Sequence, residues 1–360
     1  IQGAGCAMMF GTGAAILTSV FPAGERGKAL GINVTSVYAG LTLGPFLGGF
    51  LTQHLGWRSI FWLNLALATM AIALVLSKMK GEWAEAKGER FDFKGSIVYA
   101  LSLSLLMFGF SNLPEERGMW LAAAGVAGIL VFIKVEIVTK SPVLEIALFR
   151  KNAVFAMSNL AAFVNYSATF AAGFLMSLYL QYIRSYTPQN AGLILATYPV
   201  AMAFFSPFAG GLSDRVEPRF VASAGMLFTF VSLIMLSFTG EKTPIAYIIS
   251  SLTLLGTGIA LFSSPNANAI MSSVERKFYG VASASIGTMR LLGQMFSMGI
   301  ATLMISFFIG NAKIRPENHG EFVTVVKTAF LVFGAICFFG IFASFARGDV
   351  RKYDLKGESK

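Results

Sequence analysis

Charged residues break the chain into a series of apolar runs, and the spacing of those breaks predicts the elements. Eleven runs stand out, at 1–21, 29–52, 58–77, 96–113, 119–138, 153–181, 189–212, 219–239, 244–271, 280–309 and 323–346. Each approaches or exceeds the roughly 20 residues that a helix needs to cross a bilayer. Within hydrocarbon a backbone must satisfy its own polar groups, so runs of this length read as helices. The expected class is an all-α membrane protein. Its longest internal polar stretch, Lys78 to Lys94, divides the chain. The expected parts are 1–78, 79–152 with a linker and two helices, a six-helix part at 153–347, and a polar tail at 348–360.

Composition strengthens this reading. Hydrophobic residues make up 55% of the 360 and charged residues 13%, about half the charged share of a soluble domain. Mean hydropathy is +0.68. The net charge of +10 is unevenly placed: 20 of the 28 Lys and Arg fall in alternate loops and the tail, 7 in the other loops, and Arg290 within a run. The positive-inside rule then puts the tail in the cytoplasm of a multi-pass plasma-membrane protein, with Ile1 toward the outside. The basic balance follows from contact with anionic headgroups. No basic patch interleaved with aromatics points to nucleic acid.

Small and polar residues inside the runs carry the candidate chemistry. Gly40, Gly44 and Gly48 stand four apart and form one smooth stripe, with Pro45 and Gly49 inside the same stretch. Such a stripe lets another helix approach to backbone contact, and simple tight packing accounts for the glycines equally well. Pro45 removes a ladder hydrogen bond, which a membrane helix tolerates when neighbours satisfy the freed carbonyl. Arg290 is the one charge at mid-run. An arginine is costly in hydrocarbon, so it is expected to border a wet cavity or a partner, in a coupling or a structural role. Asn165, Asn266, Asn268 and Gln294 are candidate substrate contacts, although hydrogen bonding between helices explains any single amide. Pro265, beside Asn266, is expected to break its helix. All 18 Asp and Glu fall in loops or near run ends, Glu136 and Asp214 lying nearest the membrane. Cys6 and Cys337 read as small buried hydrophobes. No metal-ligand or nucleophile motif is present, so neither an enzyme, a metal site nor a cofactor is expected.

Several motifs carry a family resemblance. Gly40-Leu-Thr-Leu-Gly44-Pro45-Phe-Leu-Gly48-Gly49 resembles the antiporter motif in the fifth helix of drug exporters of the major facilitator superfamily. Gln2-Gly3-Ala4-Gly5 is similar to the end of the fourth-helix motif, and Gly56-Trp57-Arg58 to Asn64 resembles the entry into the sixth helix. Gly210-Gly211-Leu212-Ser213-Asp214-Arg215 resembles the cytoplasmic loop motif, with Glu217-Pro218 departing from it. Phe91-Asp92-Phe93-Lys94-Gly95 is similar to the signal that introduces two extra helices between the halves of the fourteen-span drug/proton antiporters of the EmrB/QacA type. That resemblance implies a major facilitator fold with the first three helices missing and the chain N-terminally truncated. Gly31 and Gly44 recur as Gly280 and Gly293 at a constant offset of 249, as parallel repeats would.

The function implied by this resemblance is proton-coupled efflux of amphipathic drugs or toxic compounds. Two blocks would rock about the glycine stripe, with Asp214 and Arg215 as a latch; a plain solvated turn is the other reading of that pair. Leucine at position 44 is then expected to abolish efflux and leave insertion intact. The partners are amphipathic solutes, protons and lipid, with a periplasmic adaptor left open; the acid that carries the proton is expected upstream. A transporter for one metabolite, or a membrane protein that transports nothing, are the rivals.

Overall fold

The computed structural model describes residues 2–22, 24–78, 92–139, 142–310 and 318–349. The polar stretch between 79 and 91 and the tail from 350 onward lie outside the described residues. The elements are α1 (Gln2–Val20), α2 (Arg26–Leu55), α3 (Ser59–Lys78), α4 (Phe93–Ser111), α5 (Glu116–Val138), the short α6 (Ile146–Lys151) and α7 (Ala153–Leu178). There follow α8 (Pro188–Leu195), α9 (Thr197–Arg215), α10 (Pro218–Ser237), α11 (Ile245–Ser272), α12 (Tyr279–Ile309) and α13 (His319–Ala346). Among the described residues there is no strand, and nine helical segments are long and apolar enough to cross a membrane. α1 and α2 fill the two remaining expected positions as helices.

Local chemistry explains where the helices start. Asn152 accepts from the Phe155 N–H and caps α7, while its own amide donates to the Ser273 carbonyl at 2.6 Å. Thr187 caps α8 with Pro188 in the first turn, where a missing N–H costs nothing. The run expected at 189–212 is divided at Ala196, because Pro199 supplies no N–H to the Leu195 carbonyl. The break expected at Pro265 is absent: α11 runs through it to Ser272. α10 braces the helix there. A Cβ on Gly225 would stand 2.6 Å from the Phe262 nitrogen and 2.7 Å from the Leu261 carbonyl carbon, so the two backbones touch beside the freed carbonyl.

Helices α7 and α9 to α13 pack into one bundle. Its interior holds Phe262, Phe322, Phe330 and Phe333, together with Cys337, all buried. α2 lies along α9 and touches α11, and α1 lies against α12. α4 and α5 form a hairpin in which Gly109 meets Ala122 and Gly125 meets Leu106 at backbone distance. This hairpin leans on α12 through Tyr99, whose hydroxyl donates to Thr288 at 3.2 Å, and through Phe110, whose ring lies 5.4 Å from that of Phe296. α3 has no buried residue, and large apolar side chains such as Trp62, Met70 and Leu76 face outward. An apolar exterior around a bundle with internal hydrogen bonds is what a lipid solvent requires.

Candidate functional site

The start of α2 is tied to the end of α9. A helix leaves its first N–H groups without intrahelical acceptors, and Glu25 supplies no side-chain cap to α2. The acceptor comes instead from the last turn of α9. Asp214 Oδ1 accepts from the Gly27 N–H at 2.8 Å, and Oδ2 accepts from the Lys28 N–H at 2.9 Å. A carboxylate there also complements the positive end of the helix dipole. Asn268 on α11 donates to Ser213 Oγ at 3.1 Å and to Asp214 Oδ1 at 3.4 Å, so three helices share one node. Arg215, the other residue of the expected latch, is exposed.

Below this node α2 and α9 run at backbone distance. A Cβ on Gly31 would come within 2.5 Å of the Ser206 carbonyl oxygen, and one on Gly210 would run into the Gly27 carbonyl. One turn on, Thr35 Oγ1 donates to the Ala203 carbonyl at 2.9 Å. The close seam is therefore Gly27, Gly31 and Thr35 on α2 against Gly210, Ser206 and Ala203 on α9. At Gly40, Gly44 and Gly48, where a seam is expected, no atom lies within 4 Å of the Cβ position among the described residues, so this stripe does not face α9. The reason is phase: continuing the seam in steps of four from Gly27 reaches 39 and 43, so the glycine stripe sits one residue, about 100°, further round the helix. α2 continues unbroken through 45 and 49, whose side chains lie outside the described residues.

Tyr38 extends the seam toward mid-helix. Its hydroxyl lies within electrostatic reach of Arg290 on α12, Tyr166 on α7 and Tyr198 on α9. Tyr166 Cβ would stand 2.7 Å from a Cβ on Gly293, and the Tyr198 hydroxyl 3.4 Å from one on Gly173. Tyr38 thus has a guanidinium and two phenols in its surroundings from three other helices, and all four residues are partly buried. Such a group can hold water and orient an aromatic or polar solute by hydrogen bonds and cation–π contact.

The amides divide by surroundings. Asn268 belongs to the node beside Asp214. Asn266 is engaged internally: it donates to the Ser158 carbonyl at 3.1 Å and accepts from Arg347 at 2.9 Å. Asn165 is fully buried in α7, and neither of its amide atoms meets a partner among the described residues. Gln294 lines a 340 Å³ cleft between α4, α7 and α12, together with Met107, Phe170, Leu291 and Met298. That cleft does not include Arg290.

Sequence reasoning missed Arg347 and counted it as a tail charge. It is 1% exposed and binds Ser344 O and Oγ at 2.8 and 2.7 Å, Asn266 Oδ1 at 2.9 Å and Ser158 Oγ at 3.3 Å. Ser344 Oγ in turn accepts from Ser223, so one guanidinium ties α7, α10, α11 and α13 at one end of the bundle. Burial lowers it to about 9, Glu217 pulls it back up and Arg219 adds to the lowering, so it stays charged at neutral pH. The one signal in the sequence is its place directly after an apolar run.

Comparison with known proteins agrees with this architecture. The profile of the Major Facilitator Superfamily matches residues 1–159 and 158–359. The riboflavin transporter RibZ of Clostridioides difficile is 27% identical over 347 residues, covering 94% of this chain and 74% of that protein. The multidrug resistance protein Stp of Mycobacterium tuberculosis is 30% identical over 325 residues, 88% of this chain and 59% of that protein. The lincomycin resistance protein LmrB of Bacillus subtilis is 24% identical over 306 residues, 83% of this chain and 63% of that protein. The chain spans three fifths to three quarters of the length of these relatives. Since the family profile covers the whole of its helical part, the chain belongs to the Major Facilitator Superfamily.

Proposed function

We propose that the protein is a secondary transporter that exports amphipathic toxic compounds against inward proton flow, by alternating access. The observation that carries the reading is the cap that Asp214 of α9 places on α2. It joins two helical blocks through a few hydrogen bonds beside a seam of small residues, a contact able to close and reopen as a unit. Arg290, Tyr38, Tyr166 and Tyr198 supply polar groups next to that seam, and the Met and Phe residues that line the cleft beside Gln294, such as Met107, Phe170 and Met298, suit varied apolar cargo. The blocks are residues 1–78 and 153–347, with 79–152 inserted between them as in the fourteen-span drug/proton antiporters. In the plasma membrane the Asp214 end and the tail face the cytoplasm, as the distribution of Lys and Arg favours.

The names of Stp and LmrB support export of drugs. RibZ supports a second reading, transport of one metabolite with an aromatic ring system such as riboflavin. Expression in an efflux-deficient host decides between them. Raised resistance to several unrelated amphipathic compounds, lost on collapsing the proton gradient, is the result expected. Riboflavin accumulation or release without any change in drug resistance would replace it by the second reading.

A further inference from the structure

Two carboxyl groups meet inside the protein at the open end of the α4–α5 hairpin. Asp92 caps α4, its Oδ1 accepting from the Gly95 N–H at 2.9 Å. Glu136, in the last turn of α5, is 2% exposed, and its Oε2 accepts from the Leu144 N–H at 2.9 Å. Each carboxyl therefore uses one oxygen on a backbone donor. The second oxygens, Asp92 Oδ2 and Glu136 Oε1, are both buried and have no donor among the described residues. They face the same point: a Cβ added to Gly95 would collide with both of them.

Ionised carboxylates only accept hydrogen bonds. Two such oxygens, pressed together without a donor and away from water, repel each other and lose their hydration. One proton turns the pair into a donor and an acceptor, as in carboxyl pairs that share a proton at other sites. Among the described residues, the charged groups around them do not substitute for it. Lys94 on α4 and Lys134 on α5 are exposed, as are Arg150 and Lys151 on α6. Glu145, which precedes α6, would only add negative charge. Lys87, Arg90 and Lys140 lie outside the described residues.

We propose that Asp92 and Glu136 form a proton-binding site that takes up one proton between Oδ2 and Oε1. The bound proton closes the foot of the hairpin, and through Leu144 it holds the segment leading into α6 and α7. Gly95 is required because any side chain there would occupy the meeting point. The site is independent of the α2–α9 contact, and proton binding does not rest on the transport reading.

The test is infrared difference spectroscopy of the purified protein in lipid nanodiscs across a pH titration. The expected result is a protonated carboxyl band still present at neutral pH, of one group's amplitude, absent from both Glu136→Gln and Asp92→Asn. Either amide can donate to the remaining carboxylate, so both variants should fold. The native protein binds more protons folded than unfolded here, so its thermal stability should fall as pH rises through the titration, and each variant should lose that slope. Were neither variant to fold, separate ¹³C labelling of Asp and Glu would assign the native band. The proposal is overturned by the absence of such a band at neutral pH, by a band that survives in both variants, or by a site that responds to added sodium or magnesium at fixed pH instead of to pH.

Discussion

Removing the carboxylate of Asp214 tests the latch. Asp214→Ala deletes the bonds to Gly27 and Lys28 and the weaker one to Asn268. A hydrogen bond to a charged group contributes about 1.5–3 kcal/mol, which partial exposure reduces to about 1–2 each. Two bonds then hold the closed form by about 2–4 kcal/mol, so their loss should raise the open population about 30- to 900-fold. Ser206 reports on that population, because it is buried under Gly31 in the seam. In a background without Cys6 and Cys337, a cysteine at 206 should react with a membrane-impermeant thiol reagent only while the seam is open. Its rate should rise by that factor in Asp214→Ala and by a smaller factor, about tenfold, in Asp214→Asn, which keeps one neutral acceptor oxygen and turns the other into a donor. A rate within about threefold of the parent in Asp214→Ala would refute the latch.

Other substitutions separate the seam from its surroundings. Gly31→Leu and Gly210→Leu should each abolish efflux, measured as dye extrusion, because the added side chain meets backbone on the facing helix. Gly44→Leu has open space in the described structure and should leave the melting temperature in detergent nearly unchanged, a shift equivalent to under about 0.5 kcal/mol. Arg347→Ala should cost about 3–5 kcal/mol in bundle stability, read by thermal unfolding, since it strips a charged donor from Asn266, Ser344 and Ser158. Arg347→Lys should rescue little of this, because a single ammonium cannot span acceptors that face a planar fork. Arg290→Lys should retain more transport than Arg290→Ala if charge near Tyr38 is what matters, compared by initial efflux rates.

The helices were legible because apolar length is a strong signal: the expected run at 153–181 became Ala153–Ile183, and 244–271 became Ile245–Ser272. Asp214 beside a helix end was also visible, since a short motif placed it there. Its partner was not, because the acceptorless N–H groups of α2 belong to backbone, which no side-chain pattern marks. The α2–α9 seam went unseen for a related reason. The Gly40, Gly44 and Gly48 stripe is more conspicuous than Gly27, Gly31 and Thr35, and spacing alone does not say which face meets a neighbour. Pro265 misled because a proline's freed carbonyl matters only where no second backbone braces the helix. Arg347 and the Asp92–Glu136 pair sit at helix ends, where a charged residue in sequence looks the same whether it faces water or is folded inward.

The central claim is that α2 and α9 must part for transport, and a reversible staple tests it most directly. Thr35 Oγ1 already bonds the Ala203 carbonyl across the seam, so in a background without Cys6 and Cys337 cysteines at these two positions are to be joined as a disulfide, its formation checked by mass spectrometry. Oxidation should stop dye efflux in vesicles, and a reductant should restore it, while either single cysteine transports under both conditions. Efflux that continues at full rate with the disulfide formed would contradict the account.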